Sequence, residues 1–278
     1  MSTRKYTPGL VAAYVLIGLG ALMMVAPFYF MFVFATRPQS EILDMPPPMM
    51  FGWALELNWN LLKQRLPNFW AHFGYSVYVA VVQTGLQLFF CSLAGFAFAM
   101  YNFKFKKQLF AIILSTMLIP PFLGMIPTFL VMKWVGLLDT HVALWLPGAV
   151  GALGIFLMRQ YISSAVPKEL IEAARADGCS EFRIYWNVVL PLLGPALGTL
   201  GLITFIGSWN NFLGPLIVLQ THEKFTLPLA LRTMQDPQNT PWGAVMLGAS
   251  AAVLPLLILF VFSSRRLIAG LTAGAIKG

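Results

Sequence analysis

Six stretches of this 278-residue chain run for at least 18 residues without a Lys, Arg, Asp or Glu: roughly 9–35, 71–100, 108–131, 141–158, 191–219 and 242–263. All 18 basic and 10 acidic side chains fall in the segments between them. An apolar run of about 20 residues is long enough to cross a bilayer as a helix. Backbone polar groups in hydrocarbon have no water to bond, so a spanning segment must be a helix or part of a closed barrel. None of the six runs alternates polar with apolar as a barrel strand does. The fold class is therefore predicted to be all-α, a single membrane domain over 1–278 with six transmembrane helices. Composition agrees, because only 10% of the residues are charged, against about 25% in an average soluble domain.

The connecting segments divide by charge. The N-terminus, 101–107, 159–190 and the tail 264–278 together carry 12 Lys or Arg and 4 acids; 36–70, 132–140 and 220–241 carry 6 of each. Lys and Arg are retained on the cytoplasmic side of a membrane protein. Both termini are accordingly predicted to be cytoplasmic. The net charge of +8 is then a matter of topology, and no nucleic-acid partner is expected. Arg4-Lys5 ahead of the first run could suggest a secretory signal. The run is, however, longer than the 7–15 residues of a signal's apolar region, and no small-residue cleavage site follows it; it reads as the first helix. Cys91 lies in a span and Cys179 in a cytoplasmic segment, in no metal-ligand spacing. His72, His141 and His222 are scattered at span ends, so no metal site is expected.

These features exclude several function classes. Secondary transporters carry ionisable groups or inverted repeats in the membrane, and neither is present in these spans. An intramembrane enzyme needs a Ser/His, paired Asp or metal constellation there; none is present, and no catalytic residue is expected. No G-x4-G-K-[ST] phosphate loop occurs anywhere in the chain. If the chain moves a solute uphill, the energy has to come from another subunit.

The segment 159–190 is long for a connector and has helical character. Pro167 suits a first helical turn, Glu169 and Glu172 lie near a helix N-terminus, and Asp177-Gly178 provides a stop that tolerates positive φ. Ser180 is placed to cap a second helix running toward Leu190-Pro191. Ala173, Ala174 and Ala176 leave the first helix a thin surface, suited to a partner's groove.

Glu172-Ala173-Ala174, then Gly178, Val188 and Leu190-Pro191 stand at the spacing EAA-x3-G-x9-I-x-LP, with Val188 in place of the usual Ile. This resembles the EAA loop of ABC importer permeases. Two further segments, Ser208-Trp209-Asn210-Asn211-Phe212 with Pro215 and the C-terminal stretch Arg266–Gly278, resemble the carbohydrate branch of that family, most closely the smaller partner of the maltose-type heterodimer. The resemblance implies a binding-protein-dependent sugar permease in a prokaryotic inner membrane, with the type I ABC importer fold. The implied partners are a second homologous permease subunit, two ATPase subunits that hold ATP and Mg, an extracytoplasmic solute-binding protein and membrane lipid; this chain itself would bind no cofactor. It further implies that Glu172, Ala173, Ala174, Gly178, Leu190 and Pro191 form the ATPase-coupling element, and that the tail 264–278 reaches toward the ATPase subunits.

The fifth run is the best candidate for the translocation pathway, since it places Thr204, Ser208, Asn210 and Asn211 within eight positions, flanked by Pro191, Pro195, Gly207 and Pro215. Amides in lipid are costly unless satisfied, so Asn210 and Asn211 are expected to face protein or water. Lining a pore and bonding helix to helix are both open to them. Trp209 is expected to pack or gate, and Pro120, Pro121, Pro127 and Pro147 to kink their helices.

Overall fold

The computed structural model describes residues 8–275, with side chains for 9–261. Arg4-Lys5, Lys277 and Gly278 lie outside the described residues. Among the described residues there is no strand, as the apolar runs require. The described residues gather into two compact units, one built from the residues up to Phe69 together with Leu231–Leu254, the other from Trp70–Ala230 and the residues from Pro255 on.

The first unit starts with α1 (Pro8–Phe34) and continues through α2 (Leu55–Arg65). Of the apolar stretch Gly9–Phe34 only Val33, near its end, is buried, so α1 shows hydrocarbon on every side over most of its length. Its end is held by Asn58 of α2, 2% exposed, whose Nδ2 donates to the carbonyls of Ala35 and Arg37 at 2.9 Å each. A buried amide bonded twice by the backbone keeps its desolvation cost low.

The second unit contains most of α3 (Phe69–Met100), then α4 (Lys106–Ser115), α5 (Met125–Trp134), α6 (Ala152–Ala165), α7 (Lys168–Ala176), α8 (Glu181–Leu192), α9 (Gly194–Trp209) and α10 (Leu213–Val218). Its core gathers Cys91 and Phe96 of α3, Ile155, Met158 and Ile162 of α6, and Ile184, Tyr185 and Val189 of α8. Next come α11 (Leu227–Thr233), whose last residues enter the first unit, and α12 (Trp242–Ala275). The tail from 264 continues α12 as helix through Ala275.

Three of the six predicted spans are unbroken long apolar helices: α1, α3 and α12. The other three are interrupted, each at proline. In 108–131, α4 passes through a 3₁₀ turn into Ile119, which is extended (ψ 119°) ahead of Pro120-Pro121, and the chain bends by 102° before α5. Proline supplies no N–H and drives the preceding residue out of the helical region. In 141–158, a single turn Val142–Trp145 is followed by Pro147 and by an extended Gly151 before α6. In 191–219, α8 and α9 meet at 81° around Leu193 and Pro195, and the helix stops at Trp209. Counting each bent pair as one span gives up to five. Hydropathy alone averages over such breaks.

Candidate functional site

The segment between α6 and α9 folds as two helices at a sharp corner. Pro167 sits just before α7 in an extended conformation, one place earlier than a first-turn position. The far end of α7 closes through paired backbone bonds: the N–H of Gly178 donates to Arg175 and that of Cys179 to Ala174, each at 3.0 Å. This is the Schellman closure, which needs a left-handed residue just past the helix, and Gly178 supplies it with φ +77°. Ser180 occupies the N-cap position of α8, but its hydroxyl makes no capping bond; only its carbonyl serves, accepting from Ile184. Farther along, Tyr185–Val189 widens into a π turn in which the N–H of Leu190 donates to Tyr185. Pro191 is the cause, because it lacks a donor and its ring crowds the carbonyl of the preceding turn.

Only Ile171 of α7 is buried, at 2% exposure, and Ala174 is half-buried against the core. Glu172 and Ala173 are exposed. Among the described residues Glu172 makes no ion pair or hydrogen bond, and Lys168, four positions away, does not reach it. The six residues of the loop motif thus divide. Glu172, Ala173 and Gly178 are presented to the surroundings, whereas Ala174 and Leu190 pack inward and Pro191 shapes the backbone.

The four pathway candidates part company. Asn211 lines a cavity of about 290 Å3, whose walls include Gln83, Met125, Thr128, Phe129 and Pro147. Its Oδ1 accepts from the N–H of Gly214 at 3.0 Å, fixing the start of α10. The Ser208 hydroxyl donates to Gln83 Oε1 at 2.8 Å. Thr204 is buried without a hydroxyl partner and lies outside the cavity wall, and Asn210 is exposed and away from it. Trp209 is buried, stacked on Phe205 and edge-on to Phe73, so it packs. Gln83 is the residue that sequence reasoning missed. Its room comes from Gly148, where any Cβ would stand 2.2 Å from Gln83 Nε2. The cavity offers neutral amides, a Thr hydroxyl and an aromatic face, with no charged side chain on its wall. It is equipped for a polar, uncharged solute.

The family described as binding-protein-dependent transport system inner membrane component matches residues 91–272. The chain belongs to that family. Among its relatives, the arabinooligosaccharides transport system permease protein AraQ of Halalkalibacterium halodurans is 36% identical over 260 residues, 93% of each chain. The lactose transport system permease protein LacG of Rhizobium radiobacter is 34% identical over 280 residues, covering 99% of this chain and 98% of that one. A bacterial ABC transporter involved in the import of the acidic polysaccharide alginate has a chain of the same fold, with a TM-score of 0.81 over 95% of this chain at 24% identity. As an inner membrane component of this family, the chain is a transport permease and not an enzyme. The matched stretch takes in α7, α8 and Asn211, and leaves Gln83 outside it.

A second corner of the same unit has the opposite character. Asp139 holds φ +58°, and its carboxylate accepts from the N–H groups of Gln220 and Thr221, from the Thr221 hydroxyl and from Lys224 Nζ, at 2.6–2.9 Å. Lys224, with the Thr221 hydroxyl, holds the Asp139 carboxyl well below the usual carboxylate range. The histidines act here as ties: His141 Nε2 bonds the Lys224 carbonyl at 2.9 Å and His72 Nδ1 the Phe225 carbonyl at 2.8 Å. Among the described residues no group of His, Cys, Asp and Glu is placed to hold a metal ion.

Proposed function

We propose that this chain is one of two membrane subunits of an ATP-driven, binding-protein-dependent sugar importer. In this reading α7 is the coupling helix that seats in a cleft of the ATPase subunit. Both termini and the 159–190 loop lie on the cytoplasmic side, in keeping with the excess of Lys and Arg there. A homologous permease subunit completes the pathway, two ATPase subunits supply ATP hydrolysis, and an extracytoplasmic binding protein delivers the solute. The membrane is the inner membrane of a prokaryote, as in the bacterial relatives.

The observation that carries this reading is the exposed face of α7. Glu172 stands unpaired beside alanines on a helix closed by a left-handed glycine, so an acidic group and a thin backbone are presented together. A carboxylate held this way can accept charge-assisted bonds from a partner, and the alanines let two backbones approach closely. ATP binding would draw the paired coupling helices together and open the pathway outward; hydrolysis would reset it. The cavity at Gln83 and Asn211, with Thr128 and Phe129, suits a neutral sugar, recognised by hydrogen bonds and a ring face. Ser208 keeps Gln83 oriented. Thr204 and Asn210 act between helices or in the path of the solute in this scheme, outside the cavity itself.

The test is Glu172→Lys in the full complex. Uptake should be abolished and the ATPase subunits should no longer co-purify, while the chain still inserts in the membrane. Normal uptake would overturn the coupling assignment. For the solute, a thermal-shift screen of the partner binding protein against arabinotriose, lactose and raffinose should show one clear stabiliser. If only charged solutes stabilise it, the sugar reading falls.

A further inference from the structure

One buried side chain is a poor anchor for a helix that is to transmit force. α7 has nine residues and is seated in the core through Ile171, with Ala174 half-buried beside it, so on that narrow seat alone it could swing. A second attachment lies one helical turn on, at Arg175. Arg175 Nε donates to Glu181 Oε1 at 2.7 Å and its Nη2 to Oε2 at 3.3 Å. The guanidinium also lies over the Tyr101 ring, 5.3 Å from its centre, and the Tyr101 hydroxyl donates to the same Glu181 carboxylate. Three elements meet at this carboxylate: the end of α7, the start of α8 and the residue just past α3. Partial burial and the hydrogen bond to Glu181 push the Tyr101 phenol up to about 12, so it remains a donor throughout the neutral range.

α8 is tied to α3 a second time inside the core, where the Tyr185 and Ser92 hydroxyls are 2.8 Å apart. Tyr101 continues the α3 ladder, its N–H donating to Ala97. Upstream in the same unbroken helix stands Gln83 on the cavity wall. At about 1.5 Å per residue, Tyr101 and Gln83 are separated by about 27 Å of continuous helix. A rigid element attached at one end to the coupling helix and carrying a cavity group at the other is a physical route for coupling.

We propose that Arg175, Glu181 and Tyr101 form a brace that makes α7 a lever on α3, so that movement of the coupling helix is delivered to Gln83. This rests on the reading of α7 as the docking helix. Arg175, Glu181 and Tyr101 are positioning residues in this scheme; they touch neither solute nor nucleotide. Without the brace, a stroke on α7 would reach the rest of the unit through the packing of Ile171 and Ala174 and the chain on either side, at Val166-Pro167 and at the turn before α8.

The complex of both permease subunits, the ATPase subunits and the binding protein, reconstituted in liposomes, tests this with Tyr101→Phe, Glu181→Gln and the charge-exchanged pair Arg175→Glu with Glu181→Arg. Uptake of radiolabelled arabinotriose, lactose or raffinose, whichever the wild-type complex carries, is measured per ATP hydrolysed. Both single variants should assemble with normal basal ATP hydrolysis while uptake per ATP falls about five-fold or more, the lower end of typical coupling between sites. The exchanged pair should recover much of the loss. Unchanged uptake per ATP in both single variants overturns the brace, as does failure of both to assemble, which would assign these residues to folding. No recovery in the exchanged pair also overturns it. Glu172→Lys run alongside separates the two ideas: if it transports normally the docking reading falls, and if it alone is inactive only the brace falls.

Discussion

Two corners of the second unit are made from similar materials and behave oppositely. Around Asp139 the carboxylate, Thr221, Lys224 and the neighbouring histidine rings bond back onto the chain. The carboxylate takes four hydrogen bonds, Lys224 pairs with it, and the histidines hold the carbonyls that follow. Around α7, by contrast, Glu172 faces outward with no partner among the described residues, and the ion pair found there, Arg175 with Glu181, joins α7 to α8. A corner whose charges are satisfied by itself is finished. One that leaves a carboxylate with Ala173 and Ala176 bare is complementary to something else. The contrast separates stability from coupling, and substitutions at the two corners should separate in the same way.

The largest effect expected is from Gly178→Val. A β-branched residue in the left-handed region costs at least about 1–2 kcal/mol, and here it would also undo the closure that aims Glu172. Uptake should be lost while the chain still reaches the membrane; full activity would argue against the turn. Next is Asp139→Ala, which removes an acceptor of four bonds. Its effect should fall on stability, about 2 kcal/mol by ordinary values for bonds to a charged group, read as a lower melting temperature in detergent with uptake per assembled complex unchanged. A loss of coupling there would erase the contrast between the corners.

The same carboxylate predicts a pH signature. Its folded titration lies below that of the unfolded chain, so its stabilising contribution is fully present above about pH 4, the ordinary carboxylate value, and fades only as the pH falls toward the lowered one. The melting-temperature difference between wild type and Asp139→Ala should thus be constant from neutrality to about pH 5. A difference that halves between pH 7 and 5 would contradict it. Least affected should be Lys168→Ala. Lys168 is exposed and has no ion pair among the described residues, so stability should move by less than about 0.5 kcal/mol; a larger change would mean that the open corner hides a contact.

Much of the 159–190 loop could be read from the sequence because its signals are local. The spacing from Glu172 to Pro191, the left-handed Gly178 and the short alanine-rich helix are all written within residues 168–191. Long-range partners were not legible. Glu181 finds Tyr101 and Ser208 finds Gln83 across 80 and 125 positions, and Asn58 ends α1 from a different helix. Gln83 escaped for a further reason: it is neutral, so a search for charges in the apolar runs passes over it. The broken helices show the same limit from the other side. Pro120-Pro121 and Pro147 were seen as kinks, but the size of the bend at 119–121, 102°, depends on what the two halves pack against.

Apart from Val33 near its end, α1 buries none of its apolar stretch against the rest of the protein, and its backbone bonds are internal, as in any α-helix. It therefore waits on nothing that follows it. During synthesis it is the first described segment to leave the ribosome, and it can partition into the bilayer as a finished helix before α3 exists. The bent helices of the second unit cannot do so, since their open backbone at 119–121 and 146–151 has to be covered by neighbours made later. Assembly in the membrane would then run in two stages, with α1 as the early anchor and the interrupted helices closing around one another only when the chain is nearly complete.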